Sequence, residues 1–135
     1  MPLLERTFPA ELSRSADAVS FARDGAEGAG IGEEKLLAVE LAVEEAVTNV
    51  CRHAYRGAPG EVTLRLLESD GGIVIEVEDA GPPFDPLARP DPDVTLSIEE
   101  RGIGGLGIFL IRKVTDGVAW RFENGRNVLA MTVHR

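Results

Sequence analysis

Three places in the chain carry residue types and spacings that could do chemistry. In the first, Ala38, Ala42, Glu45, Asn49 and His53 recur at steps of three and four residues, which sets them on one stripe of a helix. Asn is a mediocre mid-helix residue, and its side-chain oxygen suits a hard cation such as magnesium. Glu45, one turn earlier, could accept a proton from an incoming nucleophile. Glu44 lies about 100° around the helix, so a single carboxylate of the pair can share the stripe. Taken alone, the stripe reads as a solvated polar face, the usual role of helical carboxylates.

The second place is Asp79, in phase with Ile73, Ile75 and Val77 rather than with Glu76 and Glu78. An inward carboxylate needs a hydrogen-bond donor. The amino group of an adenine ring would serve, and so would the backbone of a turn at Ala80-Gly81, where glycine permits close approach of a flat ligand or a tight bend. The third place is Arg101-Gly102-Ile103-Gly104-Gly105-Leu106-Gly107 at the entry to a helix. Successive backbone N–H groups and the helix dipole there favour an anion such as a polyphosphate. The run lacks the Lys-Ser/Thr of a P-loop and does not follow an early strand as a dinucleotide fingerprint does.

The elements that must position these groups are legible from periodicity. Residues 3–8 read as a strand closed by Pro9, and residues 10–29 as a helix with Leu12, Ala16, Val19 and Ala22 or Arg23 at helical spacing. Gly28-Ala29-Gly30-Ile31-Gly32 breaks it, and a second helix runs from Glu33 to about Tyr55, before the stop signal Arg56-Gly57-Ala58-Pro59-Gly60. Val62, Leu64 and Leu66, then Ile73, Ile75 and Val77, alternate with polar neighbours across a Ser69-Asp70-Gly71-Gly72 turn and predict a hairpin. The stretch from 80 to about 104, with Pro82, Pro83, Pro86, Pro90 and Pro92, has no clear period and reads as a lid. A short apolar helix then ends near Asp116-Gly117, and strands at Val118–Glu123 and Asn127–Val133 follow.

Bulk properties narrow the function. A length of 135 residues suits one domain, 1–135, and 44% hydrophobic with 27% charged residues is an ordinary globular balance. The net charge of -9 argues against nucleic-acid and anionic-membrane partners, so an anionic ligand must be held by local backbone groups and a metal. The single cysteine, Cys51, has no partner for an internal disulfide and reads as a small helix residue in a reducing compartment. The start MPLLERTFPAELSR shows no signal pattern, and no apolar run approaches the roughly 20 residues of a membrane span; the expectation is a cytoplasmic protein.

The order of the motifs is more specific than any one of them. Glu45-Ala46-Val47-Thr48-Asn49 followed by His53-Ala54-Tyr55 resembles the N-box helix of the GHKL ATPases, the superfamily of gyrase, heat-shock chaperone, histidine kinase and MutL. Asp79-Ala80-Gly81-Pro82-Pro83-Phe84-Asp85 resembles their adenine-binding box, and Gly102-Ile103-Gly104-Gly105-Leu106-Gly107 their second glycine box at the end of an ATP lid. Within the superfamily, Gly105-Leu106-Gly107-Ile108-Phe109-Leu110-Ile111 and the ending Asn127-Val128-Leu129-Ala130-Met131-Thr132 look like the anti-sigma-factor serine kinases.

That resemblance implies an α/β fold, an α+β two-layer sandwich of the Bergerat type. Its mixed, mostly antiparallel sheet would be covered on one face by about three helices, with a flexible ATP lid. It implies ATP and Mg2+ as cofactors, Asn49 as the magnesium ligand and Glu45 as the catalytic base for a serine hydroxyl. Asp79 would take the adenine amino group, with Gly81, Phe84 and His53 nearby; Arg101, Gly102, Gly104, Gly105, Leu106 and Gly107 would line the phosphates; and Thr132 would touch the adenine region. Family members bind a sigma factor, phosphorylate a STAS-type anti-sigma-factor antagonist and act as homodimers. A rival expectation is a non-catalytic module whose ATP-ordered surface sequesters a regulator; Glu45 on the Asn49 stripe favours catalysis over it.

Overall fold

The computed structural model describes residues 2–56, 58–88 and 106–135. Alternation builds the sheet. Val62, Leu64 and Leu66, then Ile73, Ile75 and Val77, then Leu129, Met131 and Val133 all turn inward and are buried. They lie on β2 (Glu61–Ser69), β3 (Gly72–Asp79) and β5 (Arg126–His134), flanked by β1 (Leu4–Pro9) and β4 (Gly117–Glu123) in the order β1-β2-β3-β5-β4. Every pairing among them is antiparallel, in keeping with the mostly antiparallel sheet expected. Two-residue turns force this for two pairs; Asn124-Gly125, with φ of 54° and 76°, is the type I′ turn that hairpins favour.

Among the described residues three helices cover the inner face, and their buried side chains share one core with the strands: α1 (Ser15–Gly28), α2 (Glu33–Asn49) and α3 (Leu106–Val114). α2 presses Leu36, Val39, Val43 and Val47 onto the sheet, and α3 adds Ile108 and Ile111. α1 starts later than predicted. Residues 12–14 form a single 3-10 turn, and the buried stripe is Ala18, Ala22, Gly25 and Ala26, not one begun by the exposed Leu12. Small residues win there because α1 lies close to its neighbours; a Cβ at Gly25 would meet the Leu66 and Leu4 side chains within 2.8 Å. α1 closes on a Schellman pair, Ile31 N–H to the Ala26 carbonyl and Gly30 N–H to the Glu27 carbonyl, which tucks Ile31 into the core. Pro9 ends β1 from inside the strand, opposite Glu61, as an edge strand allows. No described helix is long and apolar enough to cross a membrane.

The outer face of the sheet is knit by charge. Arg65 on β2 donates to Glu76 at 3.0 Å, to Glu5 at 3.1 Å and to Glu78, while Arg121 on β4 reaches Glu76 from the other side at 3.0 Å. Burial alone would raise the Glu76 pKa, but the hydrogen bonds from Arg65 and Arg121 outweigh it and hold the group below its ordinary value. A depressed carboxylate contributes stability that is fully present above its unfolded pKa and is lost as the pH falls through its folded one. Arg65→Met should therefore cost about 2 kcal/mol at neutral pH. In urea titrations that difference should shrink below the ordinary glutamate range; a cost independent of pH would show that the pairing with Glu76 is not its source.

Candidate functional site

A change of helix type sets the phase of the first site residues. α2 runs to Asn49 and then widens into a π turn over Val50–Ala54, closed by Tyr55 N–H donating to the Val50 carbonyl at 3.3 Å. Asn49, Val50, His53 and Ala54 thereby line one cleft, with Ala46 a turn before them. Single π turns recur at functional sites for this reason: they re-aim side chains without ending the helix. The facing wall consists of strand ends, Val77 and Asp79 of β3, Asn127 and Leu129 of β5, and Trp120 of β4. Phe84 and Pro86 form the lip, and the Phe84 ring stacks on His53 with centroids 6.0 Å apart and planes 14° from parallel.

The floor of the cleft is a buried polar pair. Asp79 and Asn127 sit directly opposite each other in the β3–β5 register and are 8% and 5% exposed. Asp79 Oδ1 accepts from Gly81 N–H at 2.8 Å and from Asn127 Nδ2 at 3.0 Å. Asn127 Nδ2 also faces the carbonyls of Gly81 (3.2 Å) and Pro82 (2.9 Å). Its Oδ1 accepts from Phe84 N–H at 3.0 Å and Trp120 Nε1 at 3.1 Å. Asn127 is thus fully engaged. Asp79 is half engaged: Oδ2 takes no hydrogen bond from any described residue. Gly81 is required by contact, since a Cβ there would come within 2.8 Å of the Ala54 side chain.

The predicted stripe on α2 divides. Ala42 is buried in the core, and Ala46 instead leaves the room beside Asn49. Asn49 is half-buried and its carboxamide makes no hydrogen bond to a described residue. Glu45 lies outside the cleft, against the first turn of α3: a Cβ at Gly107 would stand 2.7 Å from its Oε2. Glu45 and Gly107 are therefore neighbours, with the carboxylate at the end of α3 that a helix dipole makes favourable for anions. Leu106 opens α3; Arg101, Gly102, Gly104 and Gly105 lie outside the described residues, as does most of the predicted lid.

Thr132 does not reach the cleft. It pairs with Val74, five positions along β5 from Asn127, and alternation turns it to the outer face with Ala130 and Val128. The β5 residue that meets Asp79 is Asn127. The phase rule that singled out Asp79 also picks out Asn127, an amide in step with Leu129, Met131 and Val133; Trp120 follows from it as the β4 partner of Leu129.

Comparison with known proteins decides the family. Residues 8–133 match the model of the histidine kinase-like ATPase domain. The chain belongs to that family. Serine-protein kinase RsbW of Listeria monocytogenes serovar 1/2a is 35% identical over 106 residues, an alignment covering 75% of this chain and 68% of RsbW. Serine/threonine-protein kinase BtrW of Bordetella bronchiseptica is 27% identical over 95 residues, 70% of this chain and 67% of BtrW. A chain of the SiaB-SiaC complex from Pseudomonas aeruginosa shares the fold, with a TM-score of 0.59 at 15% identity, over 96% of this chain and 88% of that one. The motif resemblance to the anti-sigma-factor serine kinases is borne out, and this member of the histidine kinase-like ATPases is an ATP-dependent serine/threonine-protein kinase.

The polar floor of this kinase makes a sharp prediction. Asn127→Ala should cost about 2–3 kcal/mol in urea unfolding, because it removes one of the two donors to Asp79 Oδ1 and the acceptor of the Trp120 indole N–H. Asn127→Asp should cost more, by setting a second carboxylate against Asp79. Equal, small losses for the two would remove Asn127 from the role described.

Proposed function

We propose that this kinase holds the adenine ring of ATP in the cleft, with the amino group on Asp79 Oδ2. In this reading it transfers the γ-phosphoryl group to a serine of a STAS-type anti-sigma-factor antagonist. The observation that carries the adenine assignment is the unengaged carboxylate oxygen: an acceptor of a buried residue, left open to a largely apolar cleft whose other polar floor atoms are satisfied within the protein. His53 and Phe84 would flank the base at the mouth, and Gly81 would border it. Arg101, Gly102, Gly104, Gly105, Leu106 and Gly107 are the proposed phosphate cradle on the strength of their sequence.

Among the described residues no cluster of three or more His, Cys, Asp or Glu forms a metal site. A lone carboxamide, unengaged and lining the cleft at Asn49, fits magnesium, which keeps waters and takes its remaining ligands from substrate phosphates. Bound there, magnesium would neutralise charge on the phosphates. Glu45 is the proposed base. The serine oxygen forms the new bond to the γ-phosphorus, the bond from that phosphorus to the ADP oxygen breaks, ADP leaves with the bonding pair, and the serine proton passes to the Glu45 carboxylate.

By the same reading the protein acts in the cytoplasm as a homodimer that alternates between a sigma factor and the antagonist. RsbW and BtrW support the kinase half of this by their names. Transfer of labelled γ-phosphate from ATP to a panel of STAS-domain proteins from the same genome tests it. Label should appear on one serine and fall about 10²- to 10⁴-fold with Glu45→Ala while ATP binding persists. Full transfer by Glu45→Ala would remove it as base, and tight ATP binding with no label on the panel would contradict the proposed substrate.

A further inference from the structure

The residue that follows the π turn does something the nucleotide motifs do not account for. The last β2–β3 pair is Val62 with Asp79, so the next pair in register would be Glu61 with Ala80. That pair is not made directly. Tyr55 Oη stands between the two strands, donating to the Glu61 carbonyl at 2.7 Å and accepting from Ala80 N–H at 2.9 Å. The ring lies against Gly60, where a Cβ would come within 2.6 Å of three ring atoms, and the Tyr55 backbone carbonyl accepts from Ala58 N–H at 2.8 Å. A single hydroxyl thus replaces the next rung of the ladder.

We infer that Tyr55 is a positioning residue for base recognition: its hydroxyl ends the β2–β3 ladder at Asp79 and fixes the path of Ala80-Gly81. The proposal rests on the adenine assignment above. Without the wedge, Glu61 and Ala80 can close on each other and extend the sheet by one pair, or Ala80 can turn to water. Either change moves Gly81, whose N–H holds Asp79 Oδ1 and whose Cα is seated on Ala54. The carboxylate orientation that leaves Oδ2 facing the cleft then loses one of its two supports. Because Tyr55 closes the same π turn that brings His53 beside Asn49, the hydroxyl also ties the α2 end of the cleft to its strand end.

Tyr55→Phe keeps the ring on Gly60 and removes both hydrogen bonds. Calorimetry of the full chain with ATP, GTP and inorganic triphosphate reads the consequence. For Tyr55→Phe we expect affinity for ATP to fall about tenfold, with GTP and triphosphate changed less than about twofold, so that discrimination between bases narrows. A thermal melt of the nucleotide-free variant checks folding, and amide exchange at Ala80 should quicken whether or not the melt shifts. Retained discrimination with a slow Ala80 amide would overturn the positioning role. Equal losses for all three ligands would also overturn it, leaving a structural tyrosine. The underlying assignment is tested separately by Asp79→Ala, which should abolish discrimination. If the wild type itself does not prefer ATP, or Asp79→Ala keeps the preference, the adenine reading fails rather than the role of Tyr55.

Discussion

Everything at the site depends on one buried contact between a carboxylate and an amide. Asp79 and Asn127 face each other across the β3–β5 pairing, on the inner side of the sheet, where an isolated charge would cost several kcal/mol. Asn127 makes the burial tolerable by donating to one oxygen of Asp79 while gathering the carbonyls of Gly81 and Pro82, the Phe84 amide and the Trp120 indole. The loop after β3 is therefore folded around this amide. The contact also decides which oxygen of Asp79 is spent and which is left for a ligand.

The surrounding architecture keeps that arrangement from relaxing. Antiparallel neighbours on both sides fix the register of β3, and the inward rows of Ile, Leu and Val pack under α2. The π turn after α2 approaches so closely at Ala54 that glycine is needed at 81, and it carries His53 around to the opening that Asn49 lines. On the other side of the sheet, the Arg65 and Arg121 ion pairs hold β2, β3 and β4 together without help from a core. The placement of Glu45 against Gly107 is then set by how α3 seats on α2.

Much of this was legible in the residues themselves. The strands and the inward phase of Asp79 follow from alternation, and the breaks at Gly28–Gly32 and at Asn124-Gly125 from turn chemistry. Tertiary contact decided what periodicity could not. The α1 stripe is Ala18, Ala22, Gly25 and Ala26 because α1 lies close to its neighbours, which no propensity of Leu12 or Val19 reveals. The π turn after Asn49 leaves no mark in the helical spacing. Thr132 went astray for a different reason: motif order suggested it, while the alternation along β5 already assigned it to the outer face and Asn127 to the inner one.

The central claim is that ATP binds with its base against Asp79 and its phosphates toward Asn49 and α3. A crystal structure of the protein with magnesium and a non-hydrolysable ATP analogue tests it most directly. The account predicts the adenine amino nitrogen within hydrogen-bond distance of Asp79 Oδ2, the Asp79–Asn127 contact intact, and the metal on Asn49 Oδ1. Adenine bound outside the cleft, or a metal held without Asn49, would contradict it.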